Sequence, residues 1–215
     1  MIDERTAAYI DSLSHGNTEY LDELEIECLK NDVPIIRKSM QSLLKYIIRS
    51  NRPRAILEVG TAVGFSAILM AEYSDADTMI TTIEKYEKRI PIAKENFEKS
   101  GYKSKIEFIE GDAADVLKQL VEKGRSFDMI FMDAAKGQYL NFYEDVMTLL
   151  KTGGILVSDN VLQDGEIIQS RFAVTRRNRT IHARMREYLK VLTTDDRLTT
   201  TVMPVGDGVT LSVKE

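Results

Sequence analysis

The chain has 215 residues, 43% apolar and 29% charged, with a formal net charge of −5. That length supports one domain with a substantial core, and the acidic balance excludes a global basic field, so nucleic acid would need a local patch. Cys28 stands alone, which excludes an internal disulfide; the acidic start has no apolar leader core and no run approaches a membrane span, so a soluble cytoplasmic protein is expected.

Residues 1–52 read as a helical lead rather than a separate domain. Leu21, Leu24, Ile26 and Leu29 predict one helix, and Ile36, Met40, Leu43, Leu44, Ile47 and Ile48 predict a second, punctuated by Pro34 and Pro53. From residue 54 the pattern alternates. Strands are predicted at Ala55-Ile-Leu-Glu-Val, Met79-Ile-Thr-Thr-Ile, Lys105-Ile-Glu-Phe-Ile, Phe127-Asp-Met-Ile-Phe-Met and Gly154-Ile-Leu-Val-Ser. Helices are predicted through Ala67–Ala71, near 86–100, and over 113–123 and 138–150. A long polar helix follows near 176–193, then two strands separated by the turn Pro204-Val-Gly-Asp-Gly208. Strand–helix alternation with apolar strands predicts a doubly wound, mostly parallel α/β sheet in a single domain over 1–215.

Three short stretches carry candidate chemistry. Glu58-Val-Gly-Thr-Ala-Val-Gly64 follows a strand and opens a helix, where glycines permit a tight turn and the helix start offers free N–H donors. Its G-x-x-x-G spacing differs from the G-x-G-x-x-G of dinucleotide folds. Glu84, at the end of the second strand, is placed to accept two ribose hydroxyls, and Asp112 follows the third strand near an adenine edge. Asp133 ends the fourth strand, and Asp159-Asn160 end the fifth. Two carboxylates and an amide oxygen are hard ligands that suit Mg²⁺ (or Mn²⁺), and the absence of a His-Cys cluster disfavours zinc. A nucleotide-cofactor loop together with a small acidic cation site points to metal-assisted group transfer.

Together these motifs resemble the cation-dependent class I S-adenosylmethionine O-methyltransferases that include catechol and caffeoyl-CoA O-methyltransferases. The resemblance spans roughly residues 33–215 and includes Phe65-Ser66, Gly111-Asp-Ala113 and Asp133-Ala-Ala-Lys136. It implies a Rossmann-like methyltransferase fold whose seven-stranded sheet has an antiparallel C-terminal strand. It also implies a cofactor pocket of Val33, Glu58, Gly60, Ala62, Gly64, Ser66, Glu84, Asp112, Ala113 and Asp133, with Glu84 on the ribose. Asp133, Asp159 and Asn160 match the family's metal ligands. Lys136 matches its general base, or a positive neighbour of the acceptor oxyanion. Family members are often homodimers, which is expected here too.

From Arg171 to Arg186 the chain carries Arg171, Arg176, Arg177, Arg179, Arg184 and Arg186 and no acid, a local anion-binding patch in an acidic protein. An RNA backbone uses such a patch and a small phenol does not. Within the family the resemblance is strongest to the bacterial branch that methylates 5-hydroxyuridine at the tRNA wobble position. It implies an anticodon-loop partner, with Arg171, Arg176, Arg177, Arg179 and Arg184 on the RNA. The 5-hydroxyl beside the ring 4-oxygen imitates a catechol, and a loop base can be splayed out onto Tyr139, Phe142 or Phe172. Methylation of small catechol-like or caffeoyl-type phenols is the second reading, and a non-catalytic RNA-binding protein the third.

Overall fold

In a computed structural model of the chain, residues 4–170 and 172–215 are described; Arg171 lies outside them. The chain forms two compact units, one ending at Asp112 and the other beginning at Ala113.

The first unit opens with three helices, α1 (Glu4–Ser12), α2 (Glu19–Lys30) and α3 (Lys38–Asn51). Met40, Leu44, Ile47 and Ile48 form the buried stripe of α3, at the spacing of one helix face. Ile36 is buried too, but lies on the extended chain before α3. The unit continues with β1 (Ala55–Val59), α4 (Phe65–Tyr73), β2 (Met79–Glu84), α5 (Ile90–Lys99) and β3 (Ile106–Glu110). Its strands are parallel, in the order β3-β2-β1, with Ala55 opposite Met79 and Ile80 opposite Ile106. Every residue of α4 from Phe65 to Ala71 is buried, which explains why it is apolar on all sides. Pro91 sits in the first turn of α5, where a missing N–H costs no helix bond.

The second unit contains α6 (Ala113–Glu122), β4 (Phe127–Met132), α7 (Tyr139–Leu149), β5 (Leu150–Ser158), α8 (Arg179–Thr194), β6 (Leu198–Met203) and β7 (Val209–Lys214). Its strand order is β4-β5-β7-β6; β4 and β5 run parallel, and β7 runs antiparallel to both neighbours. One antiparallel strand near the C-terminus is thus set among parallel ones, as expected. β5 starts four residues earlier than its apolar run, at Leu150, because pairing with β4 resumes across an irregularity between Phe127 and Met129. The arginine-rich helix begins at Arg179, so Arg176 and Arg177 lie on the turn before it rather than on its face. Among the described residues no helix is long and apolar enough to cross a membrane.

Candidate active site

In the first unit the loop after β1 curls back over the end of β2. The Gly60 and Thr61 amides both donate to the Ile83 carbonyl at 3.1 Å. Gly64 adopts φ +91, and a Cβ there would lie 2.6 Å from the Phe97 ring, so packing against α5 as well as backbone conformation requires glycine. Beneath the loop Glu58 is fully buried and accepts hydrogen bonds from the Ser66 and Thr82 hydroxyls. A carboxylate leaves water at a large cost unless such donors meet it. Glu58, through Ser66 and Thr82, ties the loop to the start of α4 and to β2.

Above the loop stands Glu84. Its Oε2 accepts the Ala62 amide at 2.7 Å; its Oε1 accepts the Lys85 and Tyr86 amides at 2.9 and 2.8 Å. Three backbone donors thus orient one half-buried carboxylate at the end of β2. Asp112 is exposed and pairs with Lys85 at 2.9 Å. Val33 is half-buried on the loop after α2, held by its amide on the Cys28 carbonyl at 2.9 Å.

The second unit gathers the predicted cation ligands. Asp133 follows β4 directly and Asp159 follows β5, while Asn160 takes a left-handed turn at φ +62. The Asn160 amide donates to Asp133 Oδ1 at 2.9 Å, and the Asn160 backbone N–H donates to Asp159 Oδ1 at 2.7 Å. Both carboxyls are pushed well above the usual carboxylate range, by burial first; for Asp159 the charges of Asp133 and Asp207 add to it. Lys136, on the turn Lys136–Gln138, opposes the shift in both through its charge. A buried Asp159 whose pKa is raised by burial and by the neighbouring, half-buried Asp133, with an amide oxygen alongside, makes a donor set that suits a hard divalent cation. Among the described residues no three His, Cys, Asp or Glu side chains are grouped to hold a metal. Ala113 opens α6 and is half-buried.

The neighbouring turn Pro204–Gly208 holds this loop. The Asp207 carbonyl accepts the Leu162 and Gln163 amides, and the Gly208 carbonyl accepts that of Val161. At Gly208, φ +86, a Cβ would overlap Leu162 at 2.2 Å.

The arginines divide. Arg179 donates to the Val174 carbonyl at 3.2 Å, Arg184 to Gly137 at 2.7 Å and Arg186 to Ile167 at 3.0 Å. These three tie α8 to its surrounding loops. Arg176 and Arg177 are exposed, as is Phe172, at 86%. Tyr139 is fully buried and Phe142 nearly so, which excludes both as stacking faces for a substrate base; Phe172 alone of the three is presented to solvent. His182, which carried no role in the sequence, is buried with its ring nitrogen 3.1 Å from the Gln169 carbonyl. Composition and spacing also give no warning of Thr82 beneath the loop, because hydroxyl residues recur throughout the chain; the turn Pro204–Gly208 is legible, but not that its Asp207 and Gly208 carbonyls hold the loop after Asn160.

A family model described as O-methyltransferase matches residues 11–215. Caffeoyl-CoA O-methyltransferase 2 of Petunia hybrida is 35% identical over 176 residues, covering 78% of this chain and 71% of that protein. A solved structure from Staphylococcus aureus is 33% identical with a TM-score of 0.90, covering 99% of this chain and 100% of its own. A methyltransferase from Podospora anserina, solved bound to S-adenosylhomocysteine, is 28% identical with a TM-score of 0.87, covering 100% of this chain and 97% of its own. With these likenesses, the α/β architecture of seven strands, mostly parallel, is that of the solved O-methyltransferases. The chain belongs to the O-methyltransferase family.

Proposed function

We propose that this protein transfers the methyl group of S-adenosylmethionine, with help from a divalent cation, to the 5-hydroxyl of 5-hydroxyuridine in a tRNA anticodon loop, giving 5-methoxyuridine. The observation that carries the chemistry is the carboxylate pair of half-buried Asp133 and buried Asp159, with Asn160 bonded to both and the charge of Lys136 acting on them. The cofactor reading is supported by the three-amide cradle around Glu84 and by the S-adenosylhomocysteine in the Podospora relative.

Glu84 accepts the two ribose hydroxyls, and Asp112 lies toward the adenine edge. Asp133, Asp159 and Asn160 would hold the cation, which when bound would supply Lewis acidity to the acceptor hydroxyl. Lys136 adds positive charge beside the acceptor oxygen as it becomes anionic. The acceptor hydroxyl gives up its proton, to water or to Lys136 in its neutral form; the oxygen–carbon bond forms as the carbon–sulfur bond breaks, leaving a methyl ether, S-adenosylhomocysteine and one released proton. An activated sulfonium methyl asks the protein chiefly for alignment.

For the substrate, exposed Phe172 offers a stacking face and exposed Arg176 and Arg177 meet phosphates, the combination that single-stranded nucleic acid uses. Arg179 and Arg184, already bonded to carbonyls, contribute less to that surface. Arg171 belongs to the same proposed patch by sequence. A second reading, methylation of caffeoyl-type phenols, is favoured by the names of the curated relatives; a CoA thioester also carries phosphates and an adenine.

The test offers purified protein, Mg²⁺ and labelled S-adenosylmethionine three acceptors: tRNA containing 5-hydroxyuridine, caffeoyl-CoA and a simple catechol. The proposal expects label in RNA, recovered as 5-methoxyuridine by nucleoside mass spectrometry, and its loss on chelation. A higher kcat/KM for caffeoyl-CoA, with tRNA unlabelled, would replace it with the second reading. Transfer at full rate in excess chelator would remove the cation.

A further inference from the structure

The strand ends that carry Asp133 and Asp159 are joined by a side chain with no ligand chemistry of its own. The Tyr139 hydroxyl lies 3.1 Å from the Met132 carbonyl and 3.1 Å from the Asp159 carbonyl. Met132 immediately precedes Asp133, and its carbonyl also accepts the Asp159 amide at 3.0 Å. One phenol proton is therefore shared between backbone oxygens at the ends of β4 and β5, where lateral pairing of the two strands stops. Tyr139 has no exposed surface, and its hydroxyl finds these two acceptors away from water. It also begins α7 directly after the Lys136 turn.

The ring is fixed as firmly as the hydroxyl. Tyr188 of α8 packs edge-to-face on Tyr139 with centroids 5.3 Å apart. The Tyr188 hydroxyl bonds the Ser158 side chain at 2.7 Å. Two buried tyrosines thus reach the same strand end by different routes. Tyr139 bonds the backbone of a candidate ligand residue; Tyr188 bonds only the hydroxyl of its predecessor.

We propose that Tyr139 is a positioning residue for the cation, its hydroxyl setting the separation of the Asp133 and Asp159 backbones and so the span between their carboxylates. The inference rests on the reading of these residues as a cation site. Residues that orient ligands typically change metal affinity about 10- to 100-fold when they are altered.

The test compares Tyr139→Phe with Tyr188→Phe in the full chain, titrating Mn²⁺ and following free Mn²⁺ by electron paramagnetic resonance. Each variant keeps its ring and loses one buried hydroxyl. Tyr139→Phe is expected to weaken Mn²⁺ binding about tenfold or more, while Tyr188→Phe stays within about twofold of the parent, whatever either does to Tm. S-adenosylmethionine affinity is expected to be unchanged in both. If Tyr139→Phe is too unstable to titrate, the Mn²⁺-induced rise in Tm reads the same difference. Parent-like Mn²⁺ affinity in Tyr139→Phe, or equal weakening in both variants, overturns the positioning role and leaves the cation site standing. Absence of Mn²⁺ binding in the unaltered protein overturns the cation site itself, and the role of Tyr139 with it.

Discussion

At Asp159 the protein keeps a carboxylate where solvent cannot reach it well and a second carboxylate stands close by. Such a group costs folding free energy unless it is protonated or meets positive charge. Replacing it with alanine removes a repulsion as well as a ligand, which separates function from stability. Asp159→Ala is expected to lower kcat at least a hundred- to a thousandfold, the loss typical of one transition-state electrostatic partner, estimated at about 3–4 kcal/mol. The same variant should retain its Tm and its affinity for S-adenosylmethionine by calorimetry. Full activity in Asp159→Ala would dismiss the carboxylate pair as the centre of the chemistry. These acids are visible in the sequence because a short hard-ligand residue directly after an apolar run is conspicuous. Tyr139 is not, because an aromatic in an amphipathic pattern looks the same whether it merely packs or also bridges two strands.

Helix α8 and the turn after it show how elements are joined in the second unit. Asp195, just past the helix, accepts hydrogen bonds from the Tyr143 hydroxyl of α7 at 2.7 Å and from Arg197 at 2.6 Å. Arg197 first, then the Tyr143 hydroxyl, hold the Asp195 carboxyl well below the ordinary range. A carboxyl whose pKa falls on folding adds stability above its unfolded pKa, near 3.9, and that stability is lost as pH falls below it. The expected outcome is a decline in Tm of the parent between about pH 5 and pH 2, with a shallower decline in Asp195→Asn. Asp195→Asn should also cost about 1–2 kcal/mol near neutrality, read by urea unfolding. Parallel pH curves for the two proteins would mean that the network contributes nothing. The same helix shows the limit of periodicity: its arginines read as one patch in sequence, yet three of them donate to the backbone carbonyls of Val174, Gly137 and Ile167. Long side chains with five donors satisfy backbone oxygens as readily as phosphates, and spacing does not distinguish the two uses.

Across the whole molecule, a net charge of −5 repels polyanions at long range, so any RNA affinity has to come from a few exposed cations. Arg176 and Arg177 are the exposed ones on the turn before α8. Changing both to alanine is expected to weaken tRNA binding and to flatten its dependence on salt by roughly one to two units of log–log slope. S-adenosylmethionine affinity should not move. An unaltered slope would shift the substrate away from tRNA and toward the phenols. The alternation of apolar strands with amphipathic helices was enough to determine the α/β class, the strand sequence positions and the acids at the strand ends, because these depend on local periodicity and on which residue follows each strand. The tertiary structure alone decided which side chains bond within the protein and which are left to solvent. It buried Glu58 under the loop it was expected to line, turned Arg184 onto Gly137, hid Tyr139 between two strand ends and left Phe172 in solvent. The bonds Glu58–Thr82, Tyr139–Asp159 and Arg184–Gly137 join residues far apart in the chain, and a hydrogen bond between distant residues leaves no period in the sequence to read.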